Sequence, residues 1–155
     1  MKKCIYLLLV LVLSACQTDF ELWKDLNSDW LEKNKTEIPT DSLIVSNTGL
    51  QYVVYHNGYG AIPKTDSYVK VTYTGQLIDG TVVDTGTEVW LYVGDLVTGW
   101  QEALCTMRQG SHWRLYIPSD LAYGEDGSEV SSGNYLVPPY STLIFDLEIN
   151  DVINQ

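Results

Sequence analysis

The chain has 155 residues, 45% hydrophobic and 19% charged, which suits one domain with a full core and a short appendage and excludes a disordered chain. Its formal net charge of −11 repels phosphate backbones, so nucleic acid is excluded as a partner. The same charge gives no electrostatic reason to bind an anionic lipid surface, so attachment to a membrane needs another device.

The first residues supply one. Met1-Lys2-Lys3 is a short positive region, and residues 5–13 are an apolar stretch too short to span a bilayer. Leu13-Ser14-Ala15-Cys16 follows and resembles the bacterial lipobox, in which small residues precede a cysteine whose thiol takes an acyl-glycerol group. On that resemblance residues 1–15 are a lipoprotein signal peptide and Cys16 is the lipidated N-terminal residue. An ordinary secretory signal with an incidental cysteine is the other reading. Gln17 after the cysteine, rather than an acid, implies the outer membrane of a bacterial cell envelope, facing the periplasm. Cys4 leaves with the signal, so Cys105 is the remaining thiol and no intramolecular disulfide is expected. No histidine lies near Cys105 in sequence, and a packing role is expected for it.

Residues 16–47 are a polar tether containing one short amphipathic helix. Thr18 and Glu21 have capping-box spacing, and Trp23, Leu26 and Trp30 recur on one helical face that ends near Lys35. That face either packs on the domain, or frays as a spacer, or serves as a docking handle. Ile38-Pro39-Thr40-Asp41-Ser42 is a linker by composition.

Residues 48–155 form the domain. Residues 50–55 make a strand closed by the His56-Asn57-Gly58 turn. Val69, Val71, Tyr73 and Leu77 share one face of the next strand, and Asp79-Gly80 signals a hairpin into Val82-Val83. A separate apolar run covers residues 89–93. Trp100, Ala103, Leu104 and Met107 have helical spacing, with Gly110 placed to end the helix. A flexible polar loop spans residues 124–136. Trp113, Leu115 and Ile117 alternate, as do Leu143, Phe145, Leu147 and Ile149. The fold class is α+β: antiparallel strands in a sheet wrapped around one short helix. His56 and His112 are the only histidines, and no ligand cluster surrounds them, so neither a metal nor a cofactor is implied.

Val69-Lys70-Val71-Thr72-Tyr73-Thr74-Gly75 resembles the V-x-V-x-Y-x-G strand of FKBP-type peptidyl-prolyl isomerases. Asp79-Gly80-Thr81-Val82-Val83-Asp84 resembles their D-G-x-x-F-D, and Gly94-Asp95-Leu96-Val97-Thr98-Gly99-Trp100 their G-x-V-I-x-G-W. Ile117-Pro118, Leu121-Ala122-Tyr123-Gly124, Val137-Pro138-Pro139 and Leu143-Ile144-Phe145-Asp146-Leu147-Glu148 continue the series in order. The resemblance implies that the sheet is bent, with a pocket between helix and sheet. Its floor would be Trp100, its walls Tyr73, Leu96, Val97, Phe145 and the partly exposed Tyr123. Asp84 would be a buried carboxylate at the rim, and Leu136 would lie on the flap.

The family departs from this sequence in three places. Val83 stands where a phenylalanine is usual and would leave the proline site wider. The stretch from Asp84 to Gly94 is short, so that Trp90 or Leu91 takes a wall position. The loop of residues 124–136 is long. The implied function is a peptidyl-prolyl cis-trans isomerase assisting the folding of exported cell-envelope proteins, with Asp84, Tyr123 and Trp100 as catalytic residues. Implied partners are proline-containing unfolded or exported polypeptides, macrolide inhibitors, and the membrane through the lipid anchor. The alternatives are a non-catalytic FKBP-like binding or chaperone lipoprotein, and a structural lipoprotein with Trp23 and Trp30 as contacts.

Overall fold

A computed structural model of the chain describes residues 19–131 and 134–155. The residues expected to form a signal peptide, Cys16, and Thr18 of the expected capping box lie outside the described residues. Eight strands and two helices follow in order. Helix α1 is Asp19–Glu37, β1 is Leu43–Val45, β2 is Gln51–His56, β3 is Tyr68–Gln76 and β4 is Val82–Tyr92. Helix α2 is Thr98–Leu104, β5 is His112–Ile117, β6 is Ser128–Ser131, β7 is Asn134–Val137 and β8 is Leu143–Ile153. Six strands form one antiparallel sheet in the order β1-β2-β5-β8-β3-β4, and β6 and β7 pair separately.

The alternation in β3, β5 and β8 places Val69, Val71, Trp113, Leu115, Ile117, Leu147 and Ile149 in the core, where all are buried. Helix α2 lies on that face through Trp100, Ala103 and Leu104. Seven residues cannot hold a helix alone, so packing makes α2. It ends at Leu104, earlier than Gly110. Met107 stays buried because its N–H still reaches Ala103 O at 2.9 Å. Gly110, at φ 87°, serves instead the turn in which Ser111 N–H donates to Arg108 O.

The sheet bends where β4 carries extra residues. Val71 pairs with Val89 but Tyr73 with Gly86, which is a bulge on β4. Glu88 takes φ 52° there, and its N–H donates to Thr72 Oγ1 at 3.2 Å. The residues expected as two separate apolar runs are therefore one bent strand. Two other elements differ from the sequence reading. β1 lies in the stretch read as polar tether and pairs with β2; three residues are too few to show a period. The loop of residues 124–136 contains the β6–β7 hairpin.

Helix α1 covers the sheet face opposite α2. Gln51, Tyr116 and Ile144 are neighbours across β2, β5 and β8, and all three are buried. Trp30 packs on Tyr116 at 5.7 Å between ring centroids. Two buried asparagines fasten the helix. Asn27 Oδ1 accepts Thr142 N–H at 2.8 Å, and Asn34 Nδ2 donates to Gln51 Oε1 at 2.9 Å. Trp23 Nε1 donates to Ser141 Oγ at 2.9 Å. Leu26, expected beside the tryptophans, is 49% exposed. The contact face follows Trp23, Asn27, Trp30 and Asn34, because the helix is held by hydrogen bonds as much as by apolar area.

Asn27→Ala should orphan the Thr142 N–H and cost about 1–3 kcal/mol, lowering the urea midpoint at constant slope. Leu26→Ala should stay within about 0.5 kcal/mol. The reverse ranking in urea titrations would show that α1 is held by its apolar stripe.

Candidate active site

A cavity of about 200 Å³ opens between α2 and the sheet. Its base is three rings. Trp100 meets Tyr73 at 5.1 Å and 86°, and Phe145 at 5.1 Å and 88°, while Tyr73 and Phe145 lie 6.1 Å apart. Edge-to-face packing of this kind sets ring edges against ring faces and fixes each ring. Phe145 can lie where it does because its strand partner is Gly75; a Cβ there would overlap Phe145 Cε1. Leu91, Leu96, Val97 and Leu143 form apolar walls, and Tyr123 stands at the mouth, 44% exposed. An engineered apolar cavity of ~150 Å³ accepts benzene, so this one has room for a five-membered ring.

The rim carries charge. Tyr73 Oη donates to Asp84 Oδ2 at 2.9 Å, and Asp84 Oδ1 accepts Thr85 N–H at 2.8 Å. Asp84 sits on β4 opposite Gly75, exposed rather than buried as the sequence reading had it. The bulged edge strand leaves its outer side open to water. Burial pushes the Tyr73 phenol up to about 12, and the hydrogen bond to Asp84 and its charge add to that.

The structure brings together Tyr73, Asp84, Leu96, Val97, Trp100, Tyr123 and Phe145. It does not bring Val83 or Leu136 to the cavity lining. Val83 falls at a second register shift, between Gly75 and Gln76, and packs against the core instead. Leu136 lies on the β6–β7 hairpin, 47% exposed. Of the two candidates in β4, Leu91 takes the wall, while Trp90 is exposed. The pairing of Val71 with Val89 decides this, since it sets Leu91 opposite Val69 and Trp90 opposite Lys70. Leu143 and Asp95 also line the cavity, and neither is among the residues expected there from sequence. Leu143 shares the alternation of Phe145, which was signal enough to include it. Asp95 lies inside a quoted motif, but nothing in sequence told which way it points. Cys105 is half-buried, and burial pushes its thiol up, which suits packing and not attack.

The family model described as FKBP-type peptidyl-prolyl cis-trans isomerase matches residues 60–150. The chain belongs to that family. Among its relatives, the FKBP-type 22 kDa peptidyl-prolyl cis-trans isomerase of Escherichia coli (strain K12) is 41% identical over 128 residues, 80% of this chain and 58% of that protein. The outer membrane protein MIP of Legionella longbeachae is 38% identical over 127 residues, 79% of this chain and 51% of that protein. The chain thus spans little more than half the length of these relatives. The crystal structure of a peptidyl-prolyl cis-trans isomerase from Pseudomonas syringae pv. tomato superposes with a TM-score of 0.77 at 28% identity, over 89% of this chain and 98% of that one. The FKBP-like fold is therefore that of the whole described sheet and both helices.

The Tyr73 phenol should stay protonated past pH 11, and Asp84→Asn should lower its midpoint toward the ordinary value of 10. Because the folded value lies above the unfolded one, the stability it contributes is complete below pH 10 and is lost as pH rises toward 12. Ring-labelled tyrosine NMR across that range reads the midpoint; no change in Asp84→Asn would leave burial as its whole cause.

Proposed function

We propose that the chain is a peptidyl-prolyl cis-trans isomerase that assists the folding of exported cell-envelope proteins. The observation that carries this reading is the cup in which Trp100 packs edge-to-face with both Tyr73 and Phe145, closed by a tyrosine and braced by a carboxylate. Rotation about an X-Pro bond passes through a twisted state that has lost amide resonance, with a barrier of about 18–20 kcal/mol. No covalent step is needed. Trp100, Tyr73 and Phe145 hold the proline ring, and Leu96 and Val97 exclude water from the carbonyl before it. A dry carbonyl favours the less polar, twisted amide. Tyr123, whose hydroxyl stands at the cavity mouth, donates to that carbonyl. Asp84 holds the Tyr73 ring by its hydrogen bond. Lowering the barrier by ~4 kcal/mol gives about a thousandfold acceleration.

In this reading residues 1–15 are a signal peptide and Cys16 carries lipid, which holds the domain, with α1 and β1 as parts of it, at the outer membrane on its periplasmic side. The lipobox sequence supports this, as does the name of the Legionella longbeachae relative. Macrolide inhibitors would occupy the same cup.

Proline-peptide turnover tests the activity. Asp84→Leu should cut kcat/KM about tenfold, because the Tyr73 ring loses the hydrogen bond that holds it in the cup, with little change in unfolding midpoint because that bond is exposed. A parent chain that binds proline peptides without turning them over would shift the reading to the non-catalytic binder. Mass spectrometry of the mature N-terminus checks the anchor: the expected species begins at a lipidated Cys16, and any other N-terminus removes it.

A further inference from the structure

The charges around the cup are of one sign. Asp84 and Asp95 line the cavity, and no lysine, arginine or histidine does. Asp84 has both oxygens occupied, by the Tyr73 hydroxyl and the Thr85 N–H. Asp95 is exposed, and its carboxylate has no hydrogen-bond or ion-pair partner among the described residues. Basic side chains are engaged elsewhere. Lys70 faces Glu88 at 3.7 Å, Arg114 holds Asp146 at 2.9 Å, and Lys24 lies over the Tyr140 ring at 4.5 Å. The whole chain, at −11, adds to this field.

We infer that Asp95 is a specificity-determining residue, selecting peptides that carry lysine or arginine beside the proline. The inference rests on the isomerase reading of the cup and adds what flanks the proline. When the ring enters the apolar floor, the neighbouring side chain must leave across the rim, where Asp95 is the carboxylate with neither oxygen engaged. A lysine or arginine has an apolar stem to lie along the walls and a cation to place at the rim. A glutamate there meets two carboxylates and the net charge of the chain. An exposed pair of this kind supplies a two- to fivefold preference, and salt near 1 M removes most of it, because the screening length falls to ~3 Å.

The test uses the full chain and peptides with Lys, Ala or Glu placed before or after the proline. Turnover is followed by NMR exchange, so that no protease meets the charge, and binding by titration of the same peptides. The expected result is a kcat/KM order of Lys above Ala above Glu at low salt, flattened at high salt. In Asp95→Asn the Lys-to-Glu ratio should fall toward one, and in Asp95→Lys it should invert. Equal turnover of all peptides at low salt overturns the inference and leaves the isomerase reading intact. A ratio unchanged in Asp95→Asn also overturns it, since the field of the whole chain would then be the cause. If no peptide is turned over, the isomerase reading fails. Binding constants then decide the preference, equal values overturning it and the Lys-first order supporting it.

Discussion

The fold depends on Trp100. Helix α2 has seven residues, too few to persist in water, and it exists because its indole is fixed between the rings of Tyr73 and Phe145. Those rings come from adjacent strands, β3 and β8, which the absent side chain of Gly75 allows to place Phe145 inward without a clash. One packing event therefore joins helix to sheet and leaves a hollow above the indole. The hollow is not an addition to the core. It is the place where the core stops short, because the bulge at Glu88 turns β4 aside and no side chain fills the space.

Strand and helical period marked Tyr73, Phe145, Trp100 and Leu143 as inward-facing, which is a statement about core. The resemblance is what singled out a site, and it alone pointed to Asp84, Leu96, Val97 and Tyr123, which line the cavity. The residues that misled are those whose place depends on a register shift. Val83 is one position from Asp84 in sequence, yet a bulge separates the neighbour that lines the cavity from the one that packs behind it. No period in a short segment shows where an extra residue will be absorbed. Leu136, expected on the flap, lies on that segment but outside the cavity lining. It belongs to a hairpin rather than a flexible loop, and pairing of β6 with β7 sets its direction.

Helix α1 shows a second limit. Hydrophobicity alone chose Leu26 with the tryptophans, whereas the helix turns Asn27 and Asn34 inward. A buried amide is costly unless satisfied, and each of these is satisfied by a named partner across the interface: Asn27 by Thr142 N–H, Asn34 by Gln51. Such pairing cannot be seen from one helix, because the partner lies 115 residues away for Asn27. It also gives the contact a fixed register that an apolar stripe would not, since sliding the helix by one turn would orphan both amides at once.

That register bears on the cavity. Among the residues α1 grips are Ser141 and Thr142, and Phe20 meets Tyr135 on the β6–β7 hairpin at 5.6 Å. Thr142 is followed directly by β8, which opens on Leu143, a wall of the cavity, and carries Phe145. Ser141 Oγ in turn donates to Pro138 O, and Tyr140 N–H donates to Gly124 O. The turn between hairpin and β8 is thus held from outside by α1 and from inside by the segment that follows Tyr123. Leu143 itself pairs with Ile117, but the turn before it has no ladder and would ordinarily be mobile. Here hydrogen bonds from a helix on the opposite face of the sheet hold that turn, so β8 enters the cavity wall from a fixed start.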